Sequence, residues 1–242
     1  MEERPARIPF EGTTLPADLS VPVDAKGVVL FAHGSGSSRF SQRNRLVARK
    51  LQDAGFATLL LDLLTREEER AEALTRHLRF DIEMLSVRLA TVTNWAVAQR
   101  GLDGLPVGYF GASTGAAAAI VAAAALPELV GAVVSRGGRP DLAGSALEDL
   151  RAPTLLIVGG FDTTVMELNH EALRRLTCVG RLEIIPRAGH LFEESGALEK
   201  VSDLARQWFS EYLVDRYAQT PQVALHPRVT GASSSSPSIG RQ

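Results

Sequence analysis

Short apolar segments typical of buried β-strands alternate along this chain with longer segments of helical periodicity. The strand-like segments are Val28–Ala32, Phe56–Leu61, Val107–Phe110, Leu129–Val134, Thr154–Val158 and Leu182–Ile185. Between them apolar residues recur every three or four positions, most clearly from Leu78 to Ala96. Near-continuous apolar strands separated by helices predict a mostly parallel sheet that is covered by helices on both faces. Residues 5–22 instead predict one or two antiparallel edge strands.

The chain is predicted to form a single domain over residues 1–218, because no point in residues 5–214 has the composition of a linker. A helix is expected over about residues 42–54, with Ser41 as its N-cap and Gly55 at its end. Residues 219–242 contain several prolines and the serine run Ser233–Ser236. Such a segment cannot bury enough apolar area to offset its ordering entropy, which predicts a disordered tail. A short ordered extension along the surface is the alternative.

Charge and composition exclude several classes of partner. The formal net charge is −2, whereas binding to nucleic-acid phosphates needs a surplus of Lys and Arg. No apolar run reaches the roughly 18 residues of a membrane helix, and the first residues lack the apolar core of a signal peptide. The single cysteine, Cys178, excludes an intrachain disulfide and a cysteine-based metal site. We therefore expect a soluble cytoplasmic protein that acts on a small molecule, without a nucleic-acid or membrane partner.

One short motif carries a possible nucleophile. Residues 111–115 read Gly-Ala-Ser-Thr-Gly, directly after the strand-like segment Val107–Phe110 and at the start of an alanine-rich helix. A G-x-S-x-G sequence between a strand and a helix is typical of a nucleophile elbow, in which small neighbours allow a strained turn at the serine. The alternative interpretation is a turn whose small residues only allow the helix to pack closely on the sheet.

A serine hydroxyl needs a base to act as a nucleophile at neutral pH, and the base needs an acid that orients it. His190 follows the last strand-like segment, and Asp162 follows the segment before it. Because Ser113 also follows a strand, all three side chains are expected at the same carboxyl edge of the sheet. Asp141, after the preceding strand, is the alternative acid.

Backbone N–H groups are needed to bind the oxyanion that develops during acyl transfer. The N–H of Thr114, the residue after the nucleophile, is one expected donor. The second is expected from the loop after Val28–Ala32, which begins His-Gly-Ser-Gly at residue 33. We predict that Ser35 provides this N–H group, with Gly36 as the alternative, and that His33 braces the loop.

These motifs resemble those of α/β-hydrolases, and within that fold those of the dienelactone hydrolase-like family. The resemblance covers about residues 5–214 and rests on His33–Gly36, Gly108–Gly115, Gly159–Asp162 and Ala188–His190. It implies a single-domain α/β-hydrolase with no metal ion and no organic cofactor. Dienelactone hydrolase itself uses a cysteine nucleophile, whereas position 113 here is serine, which points to a general serine esterase.

The predicted activity is therefore the hydrolysis of small carboxylic esters, or of related acyl bonds, through an acyl-enzyme on Ser113. Acyl transfer to another acceptor and peptide hydrolysis would use the same three residues. A non-catalytic binding or regulatory role of the fold is a further alternative, although such a role would not need a complete serine–acid–histidine set. The oligomeric state is not indicated by the sequence.

The segment between Val134 and Thr154 has room for a connecting helix, over Leu142–Leu150, but not for a large lid. An open pocket and a small acyl group are therefore expected. Several arginines follow the strand ends at this edge, namely Arg39, Arg43, Arg45, Arg136 and Arg139.

Arginine side chains bind carboxylates and phosphates well. We therefore predict that Arg136 or Arg43 holds an anionic group on the substrate. The alternative is that these arginines are solvated or paired with acidic side chains such as Asp141.

Overall fold

The computed structural model describes residues 2–215 and folds them around a single eight-stranded sheet. Its strands are β1 (Glu2–Phe10), β2 (Thr13–Val21), β3 (Val28–Ala32), β4 (Ala57–Leu61), β5 (Val107–Ala112), β6 (Val130–Arg136), β7 (Thr154–Gly159) and β8 (Gly180–Ile185). The strand order is β1-β2-β4-β3-β5-β6-β7-β8. The six strands from β4 to β8 in this order run parallel, whereas β1 and β2 form an antiparallel hairpin that pairs with β4.

Helices cover both faces of the sheet, so the predicted fold class is confirmed. They are α1 (Gln42–Asp53), α2 (Arg66–Thr75), α3 (Ile82–Val97), α4 (Thr114–Ala125), α5 (Ala146–Asp149), α6 (Thr163–Arg175) and α7 (Ala197–Phe209), the last continued by a π-helical turn over Ser210–Asp215. On one face α1 and α7 bury apolar side chains against the sheet. On the other face α3 and α4 do so, and the alanine-rich surface of α4 lets it lie close to the strands.

Local signals set several element boundaries where the sequence predicts them. The Ser41 hydroxyl accepts a hydrogen bond from the Asn44 N–H at 3.3 Å, which caps α1. Gly55 follows that helix with φ +87°, a conformation that few other residues adopt. The expected edge strands are the hairpin β1–β2, whose chain reverses at Glu11 and Gly12.

Two predicted helices differ from the observed ones. The periodicity that begins at Leu78 does not form one helix, because the Asp81 side chain accepts from the Met84 N–H and starts α3 there. Leu78 lies instead in a separate 3₁₀ turn, Leu78–Phe80. The helix expected over Leu142–Leu150 is reduced to a 3₁₀ turn at Pro140–Ala143 and the four-residue α5.

The connection between β6 and β7 holds only these two short elements, so the prediction that the fold has no large lid is confirmed. Within the described part of the chain, no helix is both long and apolar enough to cross a bilayer. The tail predicted over residues 219–242 lies outside the described residues, and the domain boundary at residue 218 stays a prediction.

Candidate active site

Ser113 occupies a strained turn between β5 and α4. Its backbone has φ 51° and ψ −122°, a combination that costs energy in a residue with a side chain. The Ser113 N–H donates to the Arg136 carbonyl oxygen at 3.2 Å, which ties the turn to the end of β6. The turn therefore has the strand–turn–helix geometry that the sequence predicts for a nucleophile elbow.

The two glycines of the motif are required by close backbone contacts. A Cβ atom added at Gly111 would lie 2.8 Å from the Ala116 nitrogen, closer than the sum of the two van der Waals radii. One added at Gly115 would lie 2.7 Å from the carbonyl carbon of Ala32, at the end of β3. The glycines thus let α4 approach both its own strand and the loop that follows β3.

That loop lies directly beside Ser113. An added Cβ at Gly34 would be 2.9 Å from the Ser113 Cβ, and the Ser35 and Thr114 hydroxyl oxygens are 3.1 Å apart. As the first residue of α4, Thr114 has an N–H group without a carbonyl partner inside the helix. The structure therefore brings Ser35, Ser113 and Thr114 together, with the two residues predicted as oxyanion donors in contact with each other.

His33 holds this loop through both of its ring nitrogens. Its Nδ1 lies 2.9 Å from the Gly34 carbonyl oxygen, to which it donates, and its Nε2 accepts from the Leu63 N–H at 3.0 Å. The ring is buried, and burial lowers the pKa of His33 below its ordinary value near 6.5. A neutral histidine with both nitrogens bonded braces the loop between β3 and the end of β4.

The predicted base and its predicted acid are in contact. His190 Nδ1 lies 2.6 Å from Asp162 Oδ2, so the imidazole N–H donates to the carboxylate and Nε2 is left to face a reacting group. Asp162 stands at the N-terminus of α6, just after β7. The alternative acid, Asp141, instead accepts two hydrogen bonds from Arg139, at 2.8 and 2.7 Å.

Backbone contacts bring His190 towards Ser113. A Cβ added at Gly137 would lie 3.5 Å from His190 Cε1, and Gly137 directly follows the residue whose carbonyl accepts the Ser113 N–H. Among residues 2–215 the Ser113 hydroxyl itself forms no hydrogen bond. The Ser113 turn is thus linked to His190 through the backbone of two consecutive residues: Arg136 binds the Ser113 N–H, and Gly137 packs against His190.

A pocket of about 330 Å³ opens beside the loop that follows β3 and is bordered by Ser35 and Thr114. Its exposed surface is mainly apolar, from residues such as Leu63, Leu64, Ala73 and Leu85, although the charged residues Glu69, Glu72 and Arg79 also line it. Ala73 belongs to α2, so a helix that follows β4 forms part of the pocket wall, although no lid follows β6. The pocket is less open than the sequence predicts.

Ion pairs hold α2 in this position. Arg88 on α3 donates to both carboxylate oxygens of Glu68 at 2.6 Å, and this bond is the main reason that the pKa of Glu68 is lowered. Glu72 is buried and pairs with Arg79. The sequence did not predict that α2 contributes to the pocket. Its run of glutamates is also typical of a solvated helix, and the arginines that pair with these glutamates are distant in the chain.

The arginines at this edge divide into two groups. Most are paired with acids as the alternative interpretation holds: Arg39 with Asp62, Arg45 with Asp18, and Arg139 with Asp141. Arg43 donates to Glu193, whose side chain is 67 % exposed. Arg136 is buried and forms no ion pair with any residue in the described part of the chain.

A sequence model of the dienelactone hydrolase family matches residues 15–212 of this chain. The crystal structure of a dienelactone hydrolase from Anabaena variabilis is 57 % identical in sequence and superposes with a TM-score of 0.86, covering 88 % of this chain and 98 % of that one. Est1E from Butyrivibrio proteoclasticus superposes with a TM-score of 0.72 over 86 % of this chain and 98 % of its own. At 16 % identity, this second likeness concerns the fold alone.

Curated relatives from two strains of Mycobacterium tuberculosis, CDC 1551 and H37Rv, are each 58 % identical over 195 residues, or 81 % of this chain. Both are named as candidate phosphoribosyl transferases. This chain spans only 43 % of their length, so their name describes proteins in which more than half of the residues have no counterpart here.

Proposed function

The chain belongs to the dienelactone hydrolase family, and on that premise we propose that it is a serine hydrolase that cleaves small carboxylic esters. The family and the hydrolase fold are common to this chain and the Anabaena protein. The nucleophile, the triad and the ester preference are the proposal. The observation that carries it is the 2.6 Å contact between His190 Nδ1 and Asp162 Oδ2 at the same edge as the strained turn of Ser113.

In the proposed reaction, the Ser113 Oγ attacks the ester carbonyl carbon while His190 Nε2 takes the hydroxyl proton. Asp162 holds the Nδ1–H group, which selects the reactive tautomer and stabilises the imidazolium that forms. The backbone N–H groups of Ser35 and Thr114 donate to the developing oxyanion. When the tetrahedral intermediate collapses, His190 returns the proton to the leaving alcohol. Water then attacks the acyl-enzyme in the same way and releases the carboxylic acid.

The pocket bordered by Ser35 and Thr114 exposes mainly apolar surface, which supports an uncharged acyl group as its occupant. Pockets for small ligands span roughly 300–1,000 Å³, and about 330 Å³ lies at the lower end of that range. A short aliphatic or small aromatic acyl group fits this volume. Because α2 forms one wall, esters with long acyl chains would have to displace that helix.

A fluorophosphonate probe tests the proposal directly, because only an activated serine reacts with it rapidly. Intact-mass spectrometry should show one adduct on the wild-type protein, and peptide mapping should place it on Ser113. Ser113→Ala should abolish labelling and lower the hydrolysis of 4-nitrophenyl acetate by about three orders of magnitude or more, since the triad acts as a unit. Rapid labelling of a folded Ser113→Ala variant, or its turnover at the wild-type rate, would refute the proposal.

Two alternatives give different results in the same experiment. A non-catalytic role of the fold predicts no labelling of the wild-type protein. Acyl transfer and peptide hydrolysis both predict labelling of Ser113. Acyl transfer predicts faster turnover when an acceptor amine is added, and peptide hydrolysis predicts faster turnover of a peptide than of an ester.

A further inference from the structure

The loop after β3 carries Ser35 and is held at both of its ends by the residues that follow β4. At its start, His33 Nε2 accepts from the Leu63 N–H at 3.0 Å. At its other end, the Arg39 N–H donates to Asp62 Oδ1 at 2.7 Å. Because β3 and β4 are parallel neighbours, their carboxyl ends meet at one edge of the sheet. Two consecutive residues at the end of β4 thus reach the two ends of one loop.

Asp62 binds one residue with both of its carboxylate oxygens. Oδ1 accepts from the Arg39 N–H and Oδ2 accepts from the Arg39 guanidinium. The aspartate is only 5 % exposed, and its own N–H donates to the Pro16 carbonyl oxygen on β2 at 2.9 Å. Charged hydrogen bonds that are shielded from water are strong. The carboxylate therefore fixes the Arg39 backbone as well as its side chain.

Between its two fixed ends the loop forms a tight turn. The Ser37 N–H donates to the Gly34 carbonyl oxygen at 3.2 Å, and Gly36 has φ +66°. Ser35 lies within this turn, with its hydroxyl oxygen 3.1 Å from that of Thr114. In so short a segment the direction of the Ser35 N–H follows from where the two ends are held.

The position of this loop matters because it lies against the proposed nucleophile. A Cβ added at Gly34 would be 2.9 Å from the Ser113 Cβ. Oxyanion donors act when they lie about 2.7–3.1 Å from the developing oxyanion. A shift of the loop by a fraction of an ångström would therefore weaken the Ser35 hydrogen bond in the transition state.

We propose that Asp62 is a positioning residue for the oxyanion site: through Arg39 it holds the loop after β3 so that the Ser35 N–H points at the developing oxyanion. The inference rests on the proposed hydrolase function and adds to it a residue that contacts neither the substrate nor the reacting atoms. Because the Ser35 N–H binds most strongly when the oxygen carries negative charge, loss of Asp62 should act on the transition state and not on substrate binding.

Asp62→Asn tests this role with almost no change of shape. One side of the amide is an NH₂ group, which would face a donor of Arg39 instead of accepting from it, so the loop end must shift. The kcat for 4-nitrophenyl acetate should fall by about 10- to 100-fold. Acylation and deacylation both pass through an oxyanion and slow together, so KM should stay within about twofold of the wild-type value.

A trifluoromethyl ketone, 1,1,1-trifluoro-4-phenylbutan-2-one, reports on the oxyanion directly. The Ser113 Oγ bonds to the ketone carbon, the hydroxyl proton passes to His190, and the carbonyl π electrons become the hemiketal oxyanion. Its Ki should rise in Asp62→Asn by about the factor by which kcat falls, because the adduct resembles the transition state. If Asp62 only stabilised the fold, its loss would reduce the amount of active enzyme and leave Ki unchanged.

Asp18→Asn is the matched control, because Asp18 contacts the same arginine. Its Oδ1 lies 3.5 Å from Arg39 Nε, its side chain is 32 % exposed, and the substitution leaves both bonds to Asp62 in place. This variant should keep the wild-type kcat and Ki. If Asp62→Asn does not fold, Arg39→Met, which removes one of the two bonds, should still lower kcat and raise Ki by about tenfold. Arg39→Lys should recover most of this loss.

Unchanged kcat in folded Asp62→Asn, a lower kcat with unchanged Ki, or an equal loss in Asp18→Asn would each overturn the proposal. Failure of the proposed function looks different: the ketone would not inhibit the wild-type protein, and Ser113→Ala would hydrolyse the ester at the wild-type rate. Equal inhibition of the wild-type protein and Asp62→Asn refutes the positioning role and leaves the serine hydrolase intact.

Discussion

Replacement of Gly115 by alanine tests whether the contact between α4 and β3 positions the active site. The new Cβ would lie 2.7 Å from the Ala32 carbonyl carbon and closer still to the oxygens of Ala32 and His33. Carbon atoms in contact are normally about 3.5–4.0 Å apart. The helix start and the strand end must therefore separate by about 1 Å, and neither is a flexible side chain that could move aside.

The size of the effect follows from this displacement. Overpacking of this kind costs about 1–3 kcal/mol, which in a domain of this size lowers Tm by about 2–4 °C for each kcal/mol. Alanine in a helix is otherwise favoured over glycine by about 1 kcal/mol, so a net loss of stability means that the steric clash dominates. The loop after β3, which holds Ser35, would also move relative to Ser113, and a misplacement of 1 Å can cost about 100-fold in rate.

Thermal unfolding and ester hydrolysis measure the two effects in the same preparation. Gly180→Ala is the matched control, because its Cβ would meet only leucine side chains, at 3.0 and 3.1 Å, far from the site. The control should keep its activity and nearly its full stability. If Gly115→Ala has the Tm of the wild-type protein and hydrolyses 4-nitrophenyl acetate at the wild-type rate, the contact between α4 and β3 does not position the active site.

Further substitutions probe the two histidines and the acid that pairs with His190. Asp162→Asn should lower kcat by a few orders of magnitude, because the amide favours the wrong tautomer of His190; Asp141→Asn should have little effect on kcat, and the reverse result would identify Asp141 as the acid. Burial lowers the pKa of His33, so its contribution to the unfolding free energy is complete above about pH 6.5 and is lost as the pH falls through the lowered value. Urea unfolding between pH 7.5 and 5 should show this loss in wild-type protein and in His77→Gln, but a smaller one in His33→Gln; equal pH dependence in all three contradicts it.

The relative positions of the site residues could be predicted because they depend on chain order and sheet topology. Ser113, Asp162 and His190 each follow a strand, and parallel strands place their carboxyl ends at one edge. The boundaries of α1 could be predicted for a similar reason: the Ser41 cap and Gly55 act within a few residues of the positions they define. Local chemistry is sufficient in these cases.

Features that depend on distant partners could not be predicted in the same way. The glutamates of α2 read as a solvated helix face, but Glu68 pairs with Arg88, which is 20 residues away in the chain. That pair holds α2 against the pocket, so the shape of the pocket is decided by tertiary contacts. The apolar period from Leu78 to Ala96 also left the start of the helix ambiguous. The Asp81 side chain can cap a new helix without changing the spacing of the apolar residues.

The arginines show how one residue type can acquire different roles at neighbouring positions. Successive residues of a strand point to opposite faces of the sheet, so the face that receives Arg136 decides its surroundings. That face carries Phe110 and α1, where the charged neighbour is Arg43, whereas Arg139 lies beyond the strand and reaches Asp141 two residues later. A carboxylate close in sequence neutralises Arg139 locally. Arg136 has no such neighbour among the described residues, so its surroundings are set by the face of the sheet on which it lies.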